Sequence, residues 1–245
     1  MTLSVVMIVK NEAHRIVRSL ESVRWAEEII VVDSASEDET SRIAGTYTSH
    51  VFDHPFQDFS SQKNFAISKA SQPWILVLDA DEVIPEPLAR EIQAVVTSQS
   101  PEKVYAIGRI NYFFNQPLRF SGSQNDYPLR LFPRGKASFT QPVHEQLLTD
   151  LPCEKLIHRM EHHTTQTLQE YQKKMNRYIP LEIQTMTLQN RPRRLSDLIL
   201  RPIARFLRCY IIDFGFLDSW AGFLFAFLSA YYTFAKYELY RKQNG

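Results

Sequence analysis

The chain has 245 residues, 44% hydrophobic and 22% charged, with a formal net charge of +1; that balance is ordinary for a globular protein of one large domain, or one domain and an appendage. Two cysteines, Cys153 and Cys209, stand far apart and outside metal-ligand spacing, which argues against a disulfide framework and fits a reducing compartment. Residues 1–150 carry 14 Lys+Arg and 19 Asp+Glu (14 − 19 = −5) and residues 151–245 carry 14 and 8 (14 − 8 = +6), so an acidic half suited to cation and nucleotide handling precedes a basic half suited to something anionic.

Leu3 to Val9 reads as a short buried strand. It opens with no charged-then-apolar leader, so secretion is not expected. Asn11 is a good helix N-cap, with Ile16, Val17, Leu20 and Val23 at helical spacing behind it. Glu28 to Val32 is the second strand and ends in Asp33. Ser36 followed by Glu39 is a capping-box pattern that predicts a helix to about Tyr47. His50 to Phe52 reads as a brief strand, Ser60 to Ala70 as a helix, Trp74 to Leu78 as the central strand, and Pro87 to Thr97 as a helix. This short-period alternation predicts a doubly wound α/β domain. Beyond residue 100, Val104 to Phe114 and Leu129 to Phe132 read as later strands. From about Thr165 the pattern is helical, with breaks expected at Pro180, Arg191-Pro192 and Pro202.

The central strand carries the chemistry. In W-I-L-V-L-D-A-D-E, residues 74–82, an apolar run meets two carboxylates one residue apart, Asp79 and Asp81. A continuous apolar run suits a strand buried on both faces, and ligands of open α/β sheets bind at the carboxyl ends of strands. Paired acids there suit a hard divalent cation that bridges to phosphate oxygens; the bland alternative is an acidic turn before a helix. Glu12 and Asp33 follow the first and second strands in the same way. There is no G-x-G-x-x-G and no P-loop, and there are only 7 glycines, so a bound nucleotide would depend on carboxylates and a metal rather than a glycine cradle.

Four segments, S-V-V-M-I-V-K-N-E (4–12), I-I-V-V-D-S-A-S-E-D-E-T (29–40), Q-K-N-F-A (62–66) and L-V-L-D-A-D-E (76–82), together resemble the inverting family-2 glycosyltransferases of GT-A fold. L-R-L-F (129–132), P-V-H-E (142–145), G-F-L-D-S-W-A-G-F (215–223) and A-Y-Y-T-F-A-K-Y (230–237) are similar to the branch that includes bacterial lipopolysaccharide-core glucosyltransferases. The resemblance implies a nucleoside-diphosphate sugar donor, expected to be a UDP-linked hexose such as glucose, and a glycolipid or lipid-linked saccharide acceptor such as lipopolysaccharide core; the alternatives are a transferase for another polyprenyl-linked glycan or a peptide, and a non-catalytic membrane-associated binding protein of degenerate GT-A fold. It implies that Asp33 binds base or ribose, that Glu12 lies beside the base, and that Lys63 and Asn64 sit near ribose and diphosphate. Asp79 would help hold ribose or metal, Asp81 would ligate Mg²⁺ or Mn²⁺, and Arg130 would neutralise the leaving group. The family usually follows L-R-L-F with two basic residues; here the pair is Pro133-Arg134.

Glycosyl transfer with inversion needs a general base at the acceptor hydroxyl but no covalent nucleophile. Glu145 is the first candidate and Asp126 the second; an ion pair from Glu145 to Arg130 or Arg134 is the alternative role. His144 is adjacent. His158, His162 and His163 lack the cysteine pair or catalytic glutamate motif of a zinc site, so His162 and His163 are read as acceptor or phosphate contacts.

Lys173 to Arg208 carries nine Lys+Arg against Glu182 and Asp197, interleaved with aromatic and aliphatic residues, a membrane-surface pattern. Ser219 to Ala235 follows with 17 uncharged residues, slightly short for a span; a helix lying in the membrane interface or packed on the catalytic domain is favoured over a span, a homodimer interface or ordinary core. Nucleic acid is not expected, since no recognisable module accompanies the basic segment. The resulting expectation is a Rossmann-like GT-A domain over residues 1–150, with a mostly parallel sheet flanked by helices, followed by a basic helical region over residues 151–245. The protein is expected to be cytoplasmic and peripheral on the inner face of the cell membrane.

Overall fold

The computed structural model describes residues 2–98, 102–122, 125–140, 146–189, 192 and 194–242. Its elements are β1 (Leu3–Val9), α1 (Ile16–Glu21), β2 (Glu28–Asp33), α2 (Thr40–Ala44), β3 (Val51–Asp53), α3 (Phe59–Lys69), β4 (Trp74–Val77), β5 (Glu82–Val83) and α4 (Glu86–Thr97). Then come β6 (Val104–Phe113), β7 (Gln116–Leu118), β8 (Leu129–Pro133), β9 (Ser138–Thr140), β10 (Gln146–Leu148) and β11 (Cys153–Thr165). The chain continues as α5 (Leu168–Leu188), α6 (Asp197–Leu207), a π turn (Arg208–Ile212), a 3-10 turn (Gly215–Asp218) and α7 (Ser219–Lys242). Two compact units result: Met1–Arg109 with Asp126–His162, and Ile110–Asn125 with His163–Gly245.

In the first unit the sheet order is β3-β2-β1-β4-β8-β6-β11-β5. β3, β2, β1 and β4 run parallel; β8 is antiparallel to both β4 and β6, and β5 is antiparallel to β11. The α/β class expected of a GT-A domain holds. All of β4 is buried, as an uninterrupted W-I-L-V run demands. Apolar layers cover both sheet faces: Ile16, Leu20, Leu88 and Ile92 pack with Val5, Met7 and Leu76 on one, and Ala66 and Phe139 with Val6, Ile30 and Ile75 on the other.

Several local expectations are corrected. Asn11 is not an N-cap: it adopts a left-handed φ of 55°, and its Oδ1 accepts from Glu37 N (2.8 Å), so it joins the exit loops of β1 and β2 while α1 starts later. Ser36 does not open a capping box; its N–H and hydroxyl both donate to Asp33 Oδ1 (3.1 and 2.6 Å), and α2 is only five residues long. A nearby carboxylate outcompeted the helix terminus for the same donor.

The second unit is largely helical, and β7 pairs with the distal end of β6 there. Pro180 and Pro202 lie inside α5 and α6 rather than ending them. For α5, the loss of one backbone donor at Pro180 is outweighed by a face of Met175, Ile179, Ile183 and Met186 packed with Tyr237 and Tyr240 of α7. Of the other expected break, Arg191 lies outside the described residues.

Candidate active site

The site forms where β1, β2 and β4 end. Val9 pairs with Asp33 and Val6 with Val77, so the residues leaving these strands share one edge of the sheet. β1 leads on to β2 on one side, while β4 lies on its other side; the crevice between diverging connections is where open α/β sheets bind ligands. Asp33 is buried, and its Oδ1 closes the turn through Ser36. Glu12 lies beyond β1, with its Oε2 4.0 Å from Arg15 Nε.

The turn after β4 is held from three sides. Asp79 N donates to Glu82 Oε2 (2.9 Å), Glu82 N donates to the Asp79 carbonyl (3.0 Å), and Ser19 Oγ of α1 donates to the Glu82 carbonyl (2.5 Å). Glu82 is 0% exposed, and a carboxylate so buried requires partners. Its Oε1 lies 2.6 Å from Arg109 Nη2 and 2.7 Å from Arg130 Nη2. Arg130 Nη2 also donates to Asp79 Oδ2 (2.5 Å), while Lys63 Nζ and Arg109 Nη2 each stand 3.7 Å from an Asp79 oxygen. Burial would raise the Asp79 carboxyl, but Arg130, then Lys63, with Arg109 adding to them, hold it well below the usual carboxylate range. Burial would likewise ease Arg130 toward losing its proton, but Asp79 and Glu82 hold that proton more firmly than usual.

Asp81 is set apart from this cluster. Its carboxylate is 21% exposed, 3.7 Å from Arg15 Nη1 and 3.5 Å from His162 Nε2. His162 arrives there because β11 pairs with β5, setting His162 opposite Glu82. A divalent cation fits beside Asp81: Mg²⁺ or Mn²⁺ takes one or two protein ligands and fills its remaining positions with water and phosphate oxygens. Asp79 is compensated by three cationic side chains, Arg130, Lys63 and Arg109, and Asp81 by Arg15 and His162. No cluster of three or more His, Cys, Asp or Glu in ligating geometry occurs among the described residues, so substrate oxygens would complete the coordination.

Asp126 joins through Arg109, whose N donates to the Asp126 carbonyl (3.0 Å) and whose Nη1 lies 3.5 Å from Asp126 Oδ2. Gly108 makes this approach possible: a Cβ there would meet Tyr127 Cε1 at 2.8 Å. Asn64 is turned away from such chemistry, because its Nδ2 donates to Phe139 O (2.8 Å) and its Oδ1 accepts from Phe139 N (2.9 Å). His163 belongs to the second unit, where it is buried and stacks on Tyr112 at 4.5 Å. His144 and Glu145 lie outside the described residues.

Glu82, Arg109, Arg15 and Ser19 are site residues that sequence reasoning did not single out. A hint existed for Arg109, the lone charge in the run V-Y-A-I-G-R-I. Arg130 is oriented by Asp79 and Glu82 rather than through a described contact with any candidate base.

Comparison with known proteins gives the family. The model of the family described as glycosyl transferase family 2 matches residues 4–160. The chain is 27% identical over 258 residues, 99% of its length and 95% of the relative's, to the lipopolysaccharide core biosynthesis glycosyltransferase LpsC of Rhizobium meliloti. It is 40% identical over 105 residues, 42% of its own length and 36% of the relative's, to a glycosyltransferase of Rickettsia bellii. Among solved structures, residues 1–349 of S. aureus TarS superpose with a TM-score of 0.49 at 12% identity, covering 100% of this chain and 92% of that one. Glucosyl-3-phosphoglycerate synthase from Mycobacterium tuberculosis, crystallised with Mn²⁺, UDP and its product, superposes with a TM-score of 0.38 at 20% identity, covering 45% of this chain and 44% of that one.

Proposed function

The chain belongs to glycosyl transferase family 2 and is a glycosyltransferase, and from that premise we propose that it moves a hexose with inversion from a UDP-linked donor to a glycolipid acceptor of the lipopolysaccharide-core kind. The observation that carries the donor half is the pair of unlike carboxylates at the end of β4: Asp79 held by three cations, and Asp81 set beside Arg15 and His162. The acceptor half rests on the end-to-end similarity to LpsC.

In this reading Asp33 and Glu12 hold the nucleoside side of the donor at the ends of β2 and β1. Asp81, with His162, would hold Mg²⁺ or Mn²⁺, whose chemistry is Lewis-acid neutralisation of the departing diphosphate. Arg109 is the most exposed of the three cations around Asp79 and stands ready for a phosphate oxygen. Arg130 and Lys63 hold Asp79 rigid, so the β4 turn does not reorganise when charge develops. The acceptor oxygen forms the new bond to the anomeric carbon as the bond to the diphosphate breaks, and the hydroxyl proton passes to a carboxylate. Asp126 is engaged by Arg109, which leaves Glu145 as the base assignment. Lipid-linked acceptors are met at the cytoplasmic face of a membrane, and the protein is assigned there.

Calorimetric titration of UDP, GDP, CDP and ADP, each with and without Mn²⁺, into wild type and Asp81→Ala tests the reading. UDP binding that needs Mn²⁺ and is lost in the variant is expected. Equal binding with and without metal would overturn the metal role, and failure of all four nucleotides on folded protein would overturn the donor assignment.

A further inference from the structure

The second unit presents an apolar end that its own fold leaves uncovered. From Leu207 to Phe227, Leu207, Ile211, Ile212, Phe214, Phe216, Leu217, Trp220, Phe223 and Phe227 are all exposed, Ile212 and Trp220 each by 68%. α6, which leads into this stretch, buries none of its residues.

The exposure is built rather than loose. Gly215 and Gly222 pack so closely that a Cβ on Gly222 would stand 1.9 Å from the Gly215 carbonyl oxygen. Asp218 accepts from the N–H groups of Arg119 (2.9 Å) and Phe120 (3.0 Å) and from Ser121 Oγ (3.0 Å), and Ser121 N donates to the Asp213 carbonyl (2.9 Å). The inner side of the turn is therefore fixed by polar contacts, while its outer side is aromatic and aliphatic. Trp220, Phe223 and Phe227 stack in sequence along α7.

We infer that the turn from Leu207 to Phe227 is a docking surface for an anionic lipid bilayer, inserted to shallow depth with the arginines of α6 at headgroup level. Charge selects this occupant. The second unit carries 13 Lys+Arg against 6 Asp+Glu, 13 − 6 = +7, while the remainder of the chain carries 15 and 21, 15 − 21 = −6. A second copy on the same face would bring two strongly cationic units together; anionic headgroups would neutralise one. Arg201 and Arg205 lie on α6, which enters the turn, Arg208 opens the π turn, and all three are exposed. Tryptophan beside arginine is the composition of a membrane interface. Among the described residues no single helix is long and apolar enough to cross a membrane, and the pair Asp197–Ile212 and Gly215–Lys242 that passes together is bent by 72°. That geometry favours insertion into one leaflet. The inference deepens the membrane location given with the proposed function by naming the surface that docks, and it needs neither donor nor metal.

The test is co-sedimentation of the full chain with vesicles of phosphatidylcholine alone and of phosphatidylcholine with phosphatidylglycerol, alongside sedimentation equilibrium without lipid. Wild type is expected to bind the anionic vesicles; Ile212→Glu and Trp220→Ala are expected to weaken that binding about tenfold each, and Arg205→Glu several-fold. Circular dichroism and thermal melting of the variants establish that they remain folded. Absence of vesicle binding by wild type would overturn the inference. So would equal affinity for neutral and anionic vesicles, undiminished binding by both apolar variants, or a lipid-free dimer dissociated by the same substitutions. Vesicle binding together with failure of every nucleotide to bind would leave this surface standing and remove the proposed function.

Discussion

Glu82 Oε1 and Arg109 Nη2 lie 2.6 Å apart, and that carboxylate has no exposure to solvent. The pair joins the start of β5 to the middle of β6, and Arg130 of β8 shares the same oxygen. Three segments distant in sequence thus meet on one buried charge, which sets how firmly the exit of β4 is held.

Glu82→Ala leaves two guanidinium groups facing a void, and removing one partner of a buried ion pair costs about 3–5 kcal/mol. Urea unfolding of this variant is expected to show a loss of that size. A loss below about 1 kcal/mol would mean that water or another acid compensates the arginines.

Asp79 makes stability depend on acid. Its folded-state pKa is depressed below the unfolded value of about 3.9. Its contribution is therefore fully present above about pH 4 and is lost as pH falls below that value. Wild type is expected to be more stable than Asp79→Asn at neutral pH, with the difference shrinking as pH is lowered through about 4. A difference that stays constant down to pH 3 would refute this account.

His162 stands 3.5 Å from Asp81, where the pairing of β11 with β5 sets it opposite Glu82. His162→Ala is expected to weaken Mn²⁺-dependent UDP binding roughly 10–100-fold while the melting temperature changes little. Unchanged metal dependence would remove His162 from the cation site.

Asn64 provides the opposite case. Both ends of its amide serve the Phe139 backbone, so Asn64→Ala is expected to cost about 1–3 kcal/mol of stability through unsatisfied backbone groups. Donor affinity in the folded variant is expected to stay within about threefold of wild type, a difference below 1 kcal/mol. A large rise in the donor KM with stability intact would restore the ligand role that the family resemblance implies.

Legibility followed the range of the interactions. The strand ending at Asp33 and the one running into Asp79 and Asp81 were readable because a buried strand needs an uninterrupted apolar run and its exit needs polar residues. β11 was not read as a strand, although it delivers His162: five of its six positions from Cys153 to His158 are exposed, Glu154 and Lys155 among them, which obscures the pattern, and only pairing with β5 at Glu161 and His162 and a place beside β6 set it in the sheet. Asn11 and Ser36 misled for a related reason. Each is a good cap by type, but each found a nearer partner across the two loops.

The sequence by itself determined the alternation of strands and helices, the acids at strand ends and the split between an acidic and a basic part, since these depend on residue type and local period. Tertiary structure alone decided what the acids do. Three cations around Asp79, against Arg15 and His162 beside Asp81, separate two acids that residue type treats alike, because the energy of a carboxylate is set by the charges around it. The same holds for Glu82, an ordinary turn residue in the sequence, which folding makes the buried counter-charge of two arginines.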